Sequence, residues 1–255
     1  MIICSSKGAN GRLLWKTLQM RLAWSLAVAI SMAPQTIAQA NNNGSEFSPN
    51  VTSSEKTWAL NLKRKAEGGS AEAQYELGRA YIEGHVFQQN IEEAVKWTRA
   101  AAAQGLAKGE VNLAVMYTEG RWVPRDYAVA RLWNEKAAAQ GDARAEYNLG
   151  VMYAYGQGVK KDLPEGIQWY MRAAEQGHQM AAYNVGVAYS QGIGVPVDEV
   201  KGYMWQLLAC HFGFAHCKET LKYLDAKFDA VKIAEAHRKA TGWIRAHPNV
   251  KGIPL

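Results

Sequence analysis

The chain has no apolar run long enough to cross a bilayer. Its most apolar stretch, Leu22–Met32, has 11 residues, against the roughly 20 that a hydrocarbon core of about 30 Å demands. No segment alternates apolar and polar residues at period two, so no sheet is expected. There is no H-E-x-x-H, no phosphate-binding G-x-x-x-x-G-K and no G-x-S-x-G. Zinc-peptidase, nucleotide-hydrolase and nucleophile-elbow chemistry therefore lack their usual carriers. Cysteine is scarce, with three in 255 residues. What is present is a hydrophobic fraction of 48%, ample for a sizeable core.

The formal charge of +6 hints at an acidic partner, and the N-terminus removes the hint. Leu22–Met32 follows Arg21 and precedes Pro34 and Ala38-Gln39-Ala40. A basic region, a short apolar region and small residues at a cleavage point make a signal peptide. Cleavage is expected after Ala40, and Met20 is an alternative start. Residues 1–40 carry Lys7, Arg12, Lys16 and Arg21 and no acid, so the mature charge falls by four, to +2. A near-neutral chain offers no electrostatic case for nucleic acid. It would also keep no stable membrane anchor, and its location would be periplasmic or secreted. Residues 41–54, NNNGSEFSPNVTSS, are polar and aperiodic and are expected to form a flexible linker.

From there the chain repeats. Ala145–Asp162 and Ala181–Asp198 share ten of eighteen residues at a separation of 36. Trp97, Trp133, Trp169 and Trp205 keep the same spacing, as do Tyr81, Tyr117, Tyr153 and Tyr189. So do Leu77, Leu113, Leu149 and Val185. A fixed period in this range signals a solenoid. Within a unit, Ala145, Leu149 and Tyr153 lie on one helical face. Gly156-Gln157-Gly158 breaks that helix, Asp162 can cap the next, and Gln176-Gly177 ends it. Each unit is thus a pair of antiparallel helices. The Trp and Tyr ladders recur at core phase and are expected to be packing residues.

The pattern A-x-Y-N-L-G-x-x-Y-x-x-G-x-G-V-x-x-D…W-x-x-x-A-A-x-x-G resembles the Sel-one-like repeat, a relative of the tetratricopeptide repeat. The resemblance covers units 71–106, 107–142, 143–178 and 179–214. It implies an all-α fold, an α-solenoid coiled into a right-handed superhelix, with the first helix of each pair lining a concave face. Unit 2 departs most, with Gly109, Val111, Ala114 and Trp122 where units 3 and 4 have alanine, tyrosine and two glycines. Residues 55–70 and 215–248 are expected to be capping helices, which an open stack needs, and 249–255 a tail.

Chemistry has few candidates. Ser53-Ser54-Glu55-Lys56 fits S-x-x-K, the acyl-transfer serine motif, but sits where a linker meets a helix, and Ser53 or Ser54 reads better as an N-cap. Some cysteine-rich members of the resembled family have been linked to penicillin binding, so a cell-wall-directed enzyme is the rival reading. After cleavage this chain carries only one cysteine pair, not a pair in every repeat. Cys210 and Cys217 fall at positions that face one another across a helical hairpin, and export favours a disulfide there. Free thiols, or a metal site with His211 and His216, are the alternatives. Nothing else calls for a metal or a cofactor.

The remaining expectation is a binding scaffold for a protein or peptide. Side chains of the first helices that point away from the core are the candidates: Glu76, Arg79, Asn112, Arg144, Asn148, Tyr155 and Asn184. Asn112, Asn148 and Asn184 form a row at 36-residue spacing that could hold a peptide backbone through bidentate amide bonds. The alternative is that each amide bonds a neighbouring turn. Trp122, out of phase with the core ladder, is a further candidate contact.

Overall fold

The computed structural model describes residues 46–252. Its helices are α1 Ser53–Glu67, α2 Ala71–Glu83, α3 Ile91–Ala103, α4 Ala107–Glu119, α5 Tyr127–Ala139, α6 Ala143–Tyr155, α7 Leu163–Glu175, α8 Gln179–Gln191, α9 Glu199–His211, α10 Cys217–Lys227 and α11 Ala230–Ala246. Units 1 to 4 are the pairs α2/α3, α4/α5, α6/α7 and α8/α9. Each of these eight helices has 13 residues, about 20 Å of rise. Each but the last packs chiefly on the helix before and the helix after it, the one-dimensional order of a solenoid, and α9 packs on α8 and then more on α11 than on α10. The expected signal peptide lies outside the described residues.

The local signals explain the boundaries. Asn90, Asp126, Asp162 and Asp198 cap the second helices through their side chains. The first helices end on a left-handed glycine, for example Gly156 at φ 72°. Leu106, before α4, provides no side-chain cap. Unit 2 has another irregularity. Trp122 adopts φ 69°, as Gly158 and Gly194 do at the equivalent positions, a conformation costing a non-glycine residue about 1 kcal/mol or more.

Within each unit a small residue lets the two helices touch. A Cβ on Gly150 would lie 2.5 Å from the Tyr170 ring, and one on Gly186 would lie 2.4 Å from Gln206. The buried columns are aliphatic and small: Leu77, Leu113, Leu149 and Val185 on the first helices, and Ala101, Ala137, Ala173 and Ala209 on the second. The tryptophans differ from expectation. Trp97, Trp133 and Trp169 are half-buried, packing by one side against the core clusters. Lys136 lies 4.1 Å above the Trp133 ring and Arg172 4.5 Å above that of Trp169. Only Trp205 is fully buried, because α11 covers it, with Trp243 at 5.9 Å. Among the described residues, no closing helix covers units 1 to 3 in this way.

The ends also differ. Glu46–Asn50 is not part of a flexible linker. Phe47 bridges to Phe87 and stacks on it at 5.7 Å, and the Ser48 hydroxyl donates to the carbonyls of Gly84 and Phe87. Glu46 pairs with Lys63 and accepts from the Tyr81 hydroxyl. This segment covers the loop of unit 1. The N-cap of α1 is Thr52, in a capping box with Glu55, rather than either serine. At the other end, Cys210 and Cys217 join the last turn of α9 to the first of α10, with Cα atoms 5.1 Å apart, within disulfide reach. The tail folds back, placing Val250 against Gly177 and Gly252 against His211.

Candidate functional site

Arg144, at the start of α6, is held by Asp142, with Nη2 to Oδ2 at 3.0 Å. Asp142 also caps α6 by accepting from the Arg144 and Ala145 backbone N–H groups. The next cap, His178, stacks on Tyr147 at 4.6 Å and accepts from the Ala181 N–H through Nδ1. Burial pushes the His178 pKa down to about 4, so the ring is neutral near pH 7 and its Nδ1 stays an acceptor.

Two further charged candidates, Glu76 and Arg79, lie on α2. Arg79 pairs with Glu83 at 2.8 Å and Glu76 at 3.3 Å and lies 5.9 Å over the Tyr75 ring. Exposed pairs of this kind contribute little stability, about 0.2–1 kcal/mol each, and they remain available to a partner. The α8 face carries no acid or base. Its exposed neighbours on α6 and α4 are Tyr155, 69% exposed, and Val115, 36% exposed.

The asparagine row splits. Asn148 does not point outward: its Nδ2 donates to Asn134 Oδ1 on α5 at 3.1 Å. Asn134 is 1% exposed and donates to Met152 Sδ at 3.7 Å. Asn184 lies near the Tyr147 and Tyr170 hydroxyls of unit 3 and interacts with both. Both contacts run to the preceding unit, and both partners are side chains rather than turns. Among the described residues, Asn112 has no such side-chain partner. Trp122 packs against the cluster of Val95, Leu113, Met116 and Val123, with Arg121 4.9 Å over its outer face.

A second polar column escaped sequence reasoning. Gln74 pairs with Gln104, Glu110 with Gln140 and Glu146 with Gln176, at 2.6, 2.8 and 2.6 Å. Glu110 is 2% and Glu146 7% exposed. Burial raises both carboxyl pKa values. The glutamines at 36-residue spacing were the available signal. For the enzymatic rival, Ser53, Ser54 and Lys56 lie on the exposed first turn of α1, where Ser54 Oγ is 3.1 Å from Thr52 Oγ1. Among the described residues, no group of three or more His, Cys, Asp and Glu gathers as a metal site would need.

The Sel1 repeat family model matches residues 71–106, 107–142, 143–178 and 179–211. Among solved structures, the chain is similar to a protective antigen present in uropathogenic Escherichia coli strains that displays an SLR fold. The identity is 38% and the TM-score 0.64, over 72% of this chain and 40% of that one. It is also similar to a Sel1 repeat protein from Oxalobacter formigenes, at 34% identity and TM-score 0.60, over 67% of this chain and 50% of that one. The chain thus spans half or less of the length of these two proteins. No curated protein sequence matches it. With four matched units, the expected helix pairs and this structural likeness, the chain belongs to the Sel1 repeat family.

Proposed function

We propose that this chain is an exported, non-catalytic scaffold that holds a protein or an extended peptide along its first-helix face, in the bacterial periplasm or outside the cell. Sel1 repeat proteins are generally protein-interaction scaffolds. The observation that supports the placement is the exposure of large first-helix side chains, Tyr155 at 69% and Val115 at 36%. A partner lying along that face is contacted by several units at once. The contacts we assign are Glu76, Arg79, Asn112, Val115, Arg144 and Tyr155. Asn148 and Asn184 support the wall behind them. Export rests on the signal-peptide pattern of residues 1–40 and fits a closed Cys210–Cys217 disulfide.

Photo-crosslinking tests the surface. A crosslinking residue at position 155 or 112 should capture a partner, and one at Leu132, 51% exposed on the second helix α5, should not. Capture from 132 but from neither first-helix position would overturn the assignment. Export is checked by cell fractionation and N-terminal sequencing, with Asn41 as the expected first residue.

A further inference from the structure

The residues after α11 sit on the stack as a peptide would. His247 stacks on Trp243 at 4.0 Å. A turn closed by the Val250 N–H on the His247 carbonyl, at 3.1 Å, then returns the chain to the edge where the second helices end. Val250 lies on Gly177: a Cβ there would stand 2.8 Å from Val250 Cγ1 and 3.7 Å from the Phe212 ring. Two residues on, Gly252 lies on the His211 imidazole, where a Cβ would fall 2.2 Å from Nε2. A spacing of two is that of an extended chain, whose side chains alternate. Among the described residues this surface occurs once. Gly69, Gly105 and Gly141 stand at the turns equivalent to Gly177 with nothing within 4 Å. The positions of Phe212 in units 1 to 3 are Gln104, Gln140 and Gln176, already engaged in their own pairs.

The tail covers this surface without completing it. His211 is 9% exposed, and its Nδ1 is buried with no hydrogen-bond partner. Buried polar groups normally find one, so the imidazole calls for an occupant able to hydrogen-bond it. Among the described residues, no hydrogen bond or ion pair ties residues 248–252 to the stack. Contact at Val250 and Gly252 holds them. We propose that Gly177, His211 and Phe212 form a docking site for an extended segment of a partner protein, one with an aliphatic residue two positions before a glycine, and that residues 248–252 keep the site closed. A tethered segment competes at an effective concentration near the millimolar range, so the partner gains access when the tail is displaced. The site lies at the second-helix C-termini, apart from the first-helix contacts assigned above, and does not depend on what they bind.

The probe is a labelled synthetic peptide of residues 247–255, titrated against the full chain by fluorescence anisotropy. Gly252→Val and Val250→Asp, made separately in the chain, should each open the site and tighten peptide binding by about tenfold or more over the parent. The same substitutions made in the peptide should abolish its binding to either variant chain. Asn249→Ala in the peptide should leave binding unchanged, because Asn249 is exposed. Binding should move the NMR signals of the His211 ring and leave those of His85 in place. The docking site is overturned if both variant chains, folded by circular dichroism, bind the peptide no better than the parent. Equal binding of the Val250→Asp peptide, or unmoved His211 signals, would overturn it too. Parent dimers that dissociate in both variants, by light scattering, would give the site to the tail of a second copy and overturn the partner.

Discussion

Asn148→Ala and Asn112→Ala differ by one repeat and should differ in consequence. Removing the Asn148 amide strips Asn134 Oδ1 of its donor at 3.1 Å, on a side chain that is 1% exposed. A buried acceptor left without a partner costs about 1–3 kcal/mol. In a folded unit of this size each kcal/mol lowers the melting temperature by about 2–4 °C, so the expected drop is roughly 2–12 °C. Asn112 has no side-chain bond to lose, and its alanine variant should stay within about 0.5 kcal/mol of the parent. Thermal unfolding followed by circular dichroism reads both. A rescue separates the hydrogen bond from other effects: Asn134→Leu in the Asn148→Ala background removes the orphaned acceptor at similar volume and should recover most of the loss. The reasoning fails if Asn148→Ala melts with the parent, or if Asn112→Ala falls as far. The crosslinking partner should be weakened by Asn112→Ala with stability unchanged.

Other outcomes follow from the same contacts. Gly150→Ala drives a methyl into the Tyr170 ring. Overpacking costs about 1–3 kcal/mol, more than the roughly 1 kcal/mol of helix propensity gained, so the variant should melt below the parent. The reverse change, Ala114→Gly, meets no such clash and should cost only the propensity. Glu146→Gln recreates the amide pair that unit 1 has in Gln74–Gln104. Burial raises the Glu146 pKa, so ionising it weakens the fold as pH rises above about 4.5. The variant should be more stable than the parent at pH 7, and the advantage should shrink toward pH 4. His178 has the opposite sign. Its pKa falls from 6.5 to about 4 on folding, so the stability it provides is lost as pH falls through that window. His178→Asn, which keeps a cap acceptor, should flatten that part of the pH–melting profile. Replacing Cys210 and Cys217 with serine should cost about 2 kcal/mol, if the pair is closed, by freeing a short loop. Mass spectrometry after alkylation without reductant counts the thiols.

Periodicity made the helices legible, because a helix pair with glycine stops and aspartate caps is written locally in each unit. It placed Asn148 correctly along the helix and misjudged its direction. A residue at the margin between core and solvent turns inward when the preceding unit offers a partner, and Asn134 became one through folding alone. The tryptophans show the same limit. Their phase is the same in every unit, but burial depends on what lies over the outer ring face, and only Trp205 meets α11. The Glu110 and Glu146 carboxyls were hidden by their charge, which argues for solvent until the glutamine opposite is noticed.

The polar pairs inside units 1 to 3 end abruptly. Where they have Gln or Glu facing Gln, unit 4 has Ala182 and Phe212, and Phe212 packs on Trp243 of the closing helix at 5.7 Å. The units are therefore not interchangeable bricks. A recombination that copied unit 4 into the middle of the array would carry a phenyl ring with no indole to meet it. One that appended a unit 3 after it would confront the closing helix with an amide. The length of this array is written into its last repeat, and it should grow, by duplication or by engineering, only from within the first three.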